Sequence, residues 1–206
     1  MRYEAEIQTL LIENAIHTIA VGGFERASTK ELTNCGGNPP DFKMNEVYIY
    51  RFFGSKENLF ESAFLRLSDE LYRAFQRGFS IIDQNPEMEN ASVREKLHML
   101  FTVAWNFILG NEERCRSYVR YYYSVYFKGR SRAAYERNFA LIAEELSSLF
   151  KDEANVTAIL QSTFTALLDF ASRVYNGELE NDDENRPHIF NMLYSMLSFW
   201  FKEDLA

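Results

Sequence analysis

Glycine and proline are scarce in this chain, with nine and four among 206 residues. An all-β fold rich in turns uses more of both, so long helices are expected instead. Cysteine is nearly missing. Cys35 and Cys115 fit neither a disulfide framework nor a zinc-ligand spacing, which points to a reducing compartment. No run of about 18 apolar residues occurs, so no membrane span is expected. The start, Met1-Arg2-Tyr3-Glu4, leads into a charged amphipathic segment and not into an apolar signal core. The expected location is therefore the cytoplasm. Catalytic signatures are missing as well: there is no Gly-x-Ser-x-Gly, no glycine loop for phosphate and no Gly-x-Gly-x-x-Gly. His17, His98 and His188 stand far apart, none at ligand spacing with a cysteine or carboxylate. The acidic run Glu178–Glu184 lacks the glycine and spacing of a calcium loop. Neither an enzyme nor a metal or other cofactor is expected.

The chain does have apolar material for a core. It is 47% hydrophobic and 25% charged, with a net charge of −8. Residues 1–60 carry six positive and eight negative side chains. Contact with nucleic acid would have to come from local placement of charge, since bulk attraction is absent.

Periodicity fills the chain with helices. Ile7, Leu11, Ala15 and Ile19 form one apolar face over residues 3–21, which Gly22-Gly23 should close. Ser28-Thr29-Lys30-Glu31 reads as a capping box that opens a short helix over 29–35. Gly36-Gly37-Asn38-Pro39-Pro40 ends it. Asn45 can cap a helix over 46–53, which Gly54 closes, and Ser55 can cap a long helix from Lys56 to about residue 80. Further helices are expected over about 91–109, 112–128, 130–150, 154–176 and 187–203. The fold class is all-α, with about nine helices.

A short capped helix, a break and a second short helix make the layout of a helix-turn-helix, whose second helix enters the major groove. The residues sharpen this. Gly23-Phe24, Ser28-Thr29-Lys30-Glu31-Leu32, Ile49-Tyr50-Arg51-Phe52-Phe53 and Ser55-Lys56-Glu57-Asn58-Leu59-Phe60 stand in that order. On these motifs, Ile7 to Phe64 resembles the DNA-binding domain of the TetR family of bacterial repressors. The resemblance covers the first third of the chain. It implies a three-helix DNA-binding domain over 1–55 and a helical effector-binding and dimerisation domain over 56–206. The link between the second and third helices departs from the family: Gly36–Met44 makes it about six residues longer than usual.

The resemblance also implies roles. Ser28 and Thr29 would touch phosphates; apart from the resemblance, Lys30 and Lys43, the latter on the extra loop, are further candidates for contact with DNA. Asn45, Glu46 and Tyr48 would read base edges. Tyr50, Arg51 and Lys56 would grip the backbone. Helix N-termini suit phosphate, and phosphate contacts fix register while base contacts give preference. Two readings stay open for Glu46: it accepts from a cytosine amino group, or it stabilises the helix start. Lys30 and Lys43 are alternatively plain solvated charges, and Tyr48 and Tyr50 alternatively pack against the first helix.

The rest of the chain names a partner less clearly. Residues 118–127 are dense in tyrosine, and residues 112–137 carry seven positive and three negative side chains. Phe101, Trp105, Tyr118, Tyr121, Tyr122, Phe164 and Phe170 are candidates to line a pocket for an unknown small-molecule effector, aromatic or anionic. Core packing is the competing reading for each of them. The last two helices, about 154–176 and 187–203, are expected to pair with their copies in a homodimer. The expected function is a repressor that binds a near-palindromic double-stranded operator and answers to that effector. The alternative is a helical adaptor of the same fold that binds a protein and has lost operator binding.

Overall fold

The computed structural model describes residues 2–34 and 44–202. Among them lie nine α-helices: α1 Arg2–Arg26, α2 Thr29–Asn34, α3 Val47–Phe53, α4 Lys56–Gln84, α5 Val93–Leu109, α6 Glu112–Tyr122, α7 Gly129–Leu146, α8 Val156–Tyr175 and α9 Asn185–Ser198. No strand forms among the described residues, and Phe150 and Phe201 meet in an isolated antiparallel bridge. The all-α expectation holds. Packing groups the chain into two compact units: Met1–Asp69 with Glu112–Ala134, and Glu70–Asn111 with Tyr135–Ala206. This grouping by contacts differs from the expected functional division after residue 55. It assigns α6 to the same unit as α1, α2 and α3.

The first unit is built on α1. Ile7, Leu11, Ala15 and Ile19 are buried together with Leu32, Ile49, Leu59 and Phe60. Asn14, also buried, donates from Nδ2 to the Leu32 carbonyl at 2.9 Å. That bond supplies a partner to a carbonyl in the last turn of α2. The sequence expectation ended this helix at Gly22-Gly23, but α1 bends there and resumes to Arg26. Gly23 takes φ 71°, a left-handed conformation that any side chain would strain. The bend turns Phe24 onto Phe60 and Tyr126, with ring centroids 5.1 and 4.9 Å away.

Helix α6 packs along α1. Glu13 on α1 accepts from Arg114 Nη2 at 2.8 Å, and Arg66 Nη2 of α4 lies 3.1 Å from its other oxygen, outside hydrogen-bond alignment. Arg120 donates to the Ile19 carbonyl at 2.7 Å. Phe64 of α4 stacks on Tyr118 and Tyr121, with centroids 4.9 and 4.6 Å apart. Helix α6 stops at Tyr122, six residues before the expected end. Ser124 makes the turn: its hydroxyl donates to the Tyr121 carbonyl at 2.7 Å and accepts from the Tyr126 amide at 3.2 Å.

In the second unit, Trp105 is fully buried and its indole donates to Asn181 Oδ1 at 3.0 Å. Ser92 and Glu95 form a complete capping box that opens α5. Between α4 and α5 the backbones approach closely at Gly78. A methyl added there would lie 2.8 Å from the Leu100 tip.

Two outcomes follow from this packing. Trp105→Ala removes the largest fully buried side chain and should cost about 3–5 kcal/mol, read as a lower denaturant midpoint. Burial holds the Tyr121 phenol above its ordinary pKa; a hydrogen bond with Ser131 partly offsets this, and the Glu61 charge adds to it. The unfolded chain therefore ionises first as pH rises. The stabilising contribution of Tyr121 is complete below about pH 10 and is lost as pH climbs through the folded value. Tyr121→Phe should flatten the alkaline fall in stability, measured by denaturant unfolding between neutral pH and pH 11.

Candidate nucleic-acid interface and ligand cavity

Helices α2 and α3 are too short to hold themselves, so their ends are fastened by side chains. The Ser28 hydroxyl accepts from the Glu31 amide at 3.2 Å, the first half of the expected box. The Ser28 amide itself donates to the Arg26 carbonyl at 2.8 Å. Asn45 Oδ1 accepts from the Val47 amide at 2.9 Å, capping α3 as expected. Gly54 closes α3 with φ 78°, and its amide donates to the Tyr50 carbonyl. Ser55 then accepts from the Asn58 amide at 3.1 Å to open α4.

One bond went unforeseen in the sequence. The Thr29 hydroxyl donates to the Glu46 carboxylate. It ties the start of α2 to the start of α3 and so brings Ser28 and Thr29 beside Asn45 and Glu46. Glu46 makes no side-chain cap at its own helix. Spacing along the chain offers no signal for such a clasp, because 17 residues separate the partners.

The other candidates differ in how far they face solvent. Ile49 is fully buried and fixes the inner face of α3, while Tyr50 beside it is 56% exposed. Tyr48 is half-buried and stacks on Phe52 at 5.7 Å. Arg51 is exposed and pairs with Glu4 at 2.6 Å. An exposed pair of this kind is worth about 0–1 kcal/mol, so the guanidinium can be given up to a phosphate cheaply. Lys56 is half-buried, with its ammonium 5.7 Å from the Phe60 ring centre. Lys30 is exposed. Residues 35–43, which include Lys43 and all of the inserted link but Met44, lie outside the described residues; Met44 is buried.

The second unit contains a partly open apolar cavity of about 90 Å³. Phe79 of α4, Phe101 of α5, Ile142 of α7, Phe164 of α8 and Phe190 of α9 are in its wall. Its polar groups are the hydroxyls of Thr163 and Tyr194, and Thr163 already donates to the Ile159 carbonyl at 2.9 Å. Of the seven effector candidates, Phe101 and Phe164 line this cavity. Trp105 is buried against Asn181 and Phe170 is half-buried under Arg173; neither belongs to the lining. Tyr118, Tyr121 and Tyr122 belong to the first unit. Tyr118 and Tyr121 stack there on Phe64, and Tyr122 packs on Phe127 at 4.8 Å. The first two are buried.

No group of three or more His, Cys, Asp or Glu side chains among the described residues could hold a metal ion. No helix among them is long and apolar enough to cross a membrane.

No protein-family model and no curated protein sequence matches this chain. Solved structures do match, along nearly its whole length. A TetR family transcription regulator from Marinobacter aquaeolei VT8 aligns with a TM-score of 0.72 at 20% identity, covering 95% of this chain and 98% of its own. A TetR-like transcriptional regulator from Rhodococcus sp. RHA1 aligns at 0.62 and 19% identity, covering 91% of each chain. The transcriptional regulator FadR from Bacillus subtilis, solved in complex with stearoyl-CoA, aligns at 0.56 and 15% identity, covering 93% and 96%. The fold is that of the TetR family transcription regulators.

Proposed function

We propose that this chain, built on the fold of the TetR regulators, is a dimeric DNA-binding repressor controlled by a small molecule. The observation that carries the reading is the geometry of α3: Ile49 is locked in the core while Tyr50 and Arg51 on the same short helix face outward. Residues 1–55 are the DNA-binding part. Ser28, Thr29, Lys30, Tyr50, Arg51 and Lys56 meet phosphates, and Asn45 and Tyr48 meet base edges. Glu46 is held by Thr29, which favours positioning over base reading.

The second copy pairs through α8 and α9. Met192, Met196 and Phe199 leave an apolar strip exposed on and just beyond α9, with Phe199 71% exposed. A two-fold pairing of such strips is self-complementary. It also suits the task, because two recognition helices one DNA turn apart read a near-palindrome. The effector occupies the apolar cavity, where Phe101 and Phe164 touch it. An aliphatic chain matches that lining, and the B. subtilis neighbour was solved with a ligand that carries one. The effector acts by binding one of two arrangements of the dimer more tightly, and so shifts the population away from the DNA-binding one. No catalysis is assigned to the chain.

Selection from a random duplex pool tests the DNA reading. An inverted repeat should be enriched, and a Tyr50→Ala/Lys56→Ala variant of unchanged helicity should fail to enrich it. A folded, dimeric wild type that enriches nothing at low salt would favour the protein-binding adaptor instead. For the interface, Phe199→Glu should shift the protein from dimer to monomer in sedimentation; a variant that stays dimeric would place the contact elsewhere.

A further inference from the structure

The apolar cavity shares two wall residues with a second, polar pocket. Phe79 of α4 and Ile142 of α7 line both. The polar pocket has a volume of about 250 Å³ and is formed by Tyr72, Gln76, Ser80, Asp83 and Gln84 of α4 with Glu145 of α7. Phe79 is the half-buried member of the partition and Ile142 the buried one.

The sign of charge in this vestibule is one-sided. Asp83 and Glu145 contribute two carboxylates, and no lysine, arginine or histidine lines it. Its amides are turned on their neighbours: Gln76 donates to the Tyr72 hydroxyl at 3.2 Å and Gln84 to the Ser80 hydroxyl at 2.9 Å. Arg77, which shares α4, is directed over the Phe107 ring at 5.7 Å. Asp83 and Glu145 also stand in the last turns of α4 and α7, neither of which contains a basic residue. Helix C-termini carry a partial negative charge of their own, so a carboxylate there opposes the helix dipole. Local helix stability does not account for either residue. Two acids and two helix ends add up to a site that favours a cation.

We propose that the effector is a single-chain amphiphile with an alkyl tail and a cationic head, such as an alkylammonium. The tail passes between Phe79 and Ile142 into the apolar cavity. The head stays in the vestibule, where Asp83 and Glu145 face it and water still reaches it. This arrangement avoids burying a charge in a lining that has only two hydroxyls to offer. An anionic head of equal length meets repulsion at the same place. The inference rests on the reading of the cavity as the effector site.

Calorimetry on the full chain separates the two. Decyltrimethylammonium, decanol and decanoate are compared at equal concentration, below micelle formation. The ammonium should bind roughly tenfold tighter than decanoate, a modest gap because both carboxylates are exposed; decanol should fall between. In Asp83→Asn/Glu145→Gln the ammonium should lose its advantage over decanol, while decanol binding is unchanged. Both sites are at the surface, so the variant should fold, and its circular dichroism checks that. Decanoate binding as tightly as the ammonium, or a double variant that keeps the cation preference, overturns the head-group assignment and leaves the cavity standing. Failure of all three probes to bind overturns the cavity reading itself.

Discussion

Helix α1 has to satisfy two sets of neighbours at once, and the first unit depends on it doing so. One face carries Ile7, Leu11, Ala15 and Ile19 into the core that also buries Leu32 and Ile49. Another edge carries Glu13 to Arg114 of α6 and Arg66 of α4. These two contributions differ in kind. The ion pairs have side chains about one-third exposed, between 27% and 35%, so each is worth at most about 1 kcal/mol. Burying a leucine or phenylalanine contributes about 1.5–3 kcal/mol. Hydrophobic packing therefore holds α6 against α1. The charges, with the Arg120 bond to the Ile19 carbonyl, choose the register in which it is held.

The same economy governs α3. Seven residues cannot sustain a helix alone. Its inner face is anchored by Ile49, its start by Asn45 and its end by Gly54. The Thr29–Glu46 clasp then joins its beginning to that of α2. What is left over points outward: Tyr50 and Arg51. A helix fastened at three points holds the backbone beneath those outer side chains in place.

Much of this was legible in the residues. The apolar spacing of α1, the hydroxyl caps at Ser28 and Ser55 and the glycine stop at Gly54 are local signals, and local signals survive folding. The fold class came from the same kind of periodicity. Long-range contacts were not legible. Gly22-Gly23 looks like a stop, yet Gly23 only bends the helix, because Phe24 has a socket between Phe60 and Tyr126 to fill. The end of α6 was missed because Ser124, neither glycine nor proline, makes the turn. The tyrosines at 118 and 121, candidates for a ligand pocket, stack on Phe64. Periodicity shows which residues turn inward. It carries no information on whether they meet a void or another side chain. For the same reason Phe101 and Trp105, one turn apart on α5, divide between cavity lining and closed core.

Gly78 gives this architecture a tuning point. The Leu100 side chain whose tip rests against it is also part of the cavity wall. A single added methyl at 78 must displace that tip, while the new side chain belongs to neither the cavity lining nor the vestibule. Descendants of this sequence can thus change the shape of the cavity wall by drift at a residue outside both pockets. A survey restricted to pocket residues would score such lineages as identical.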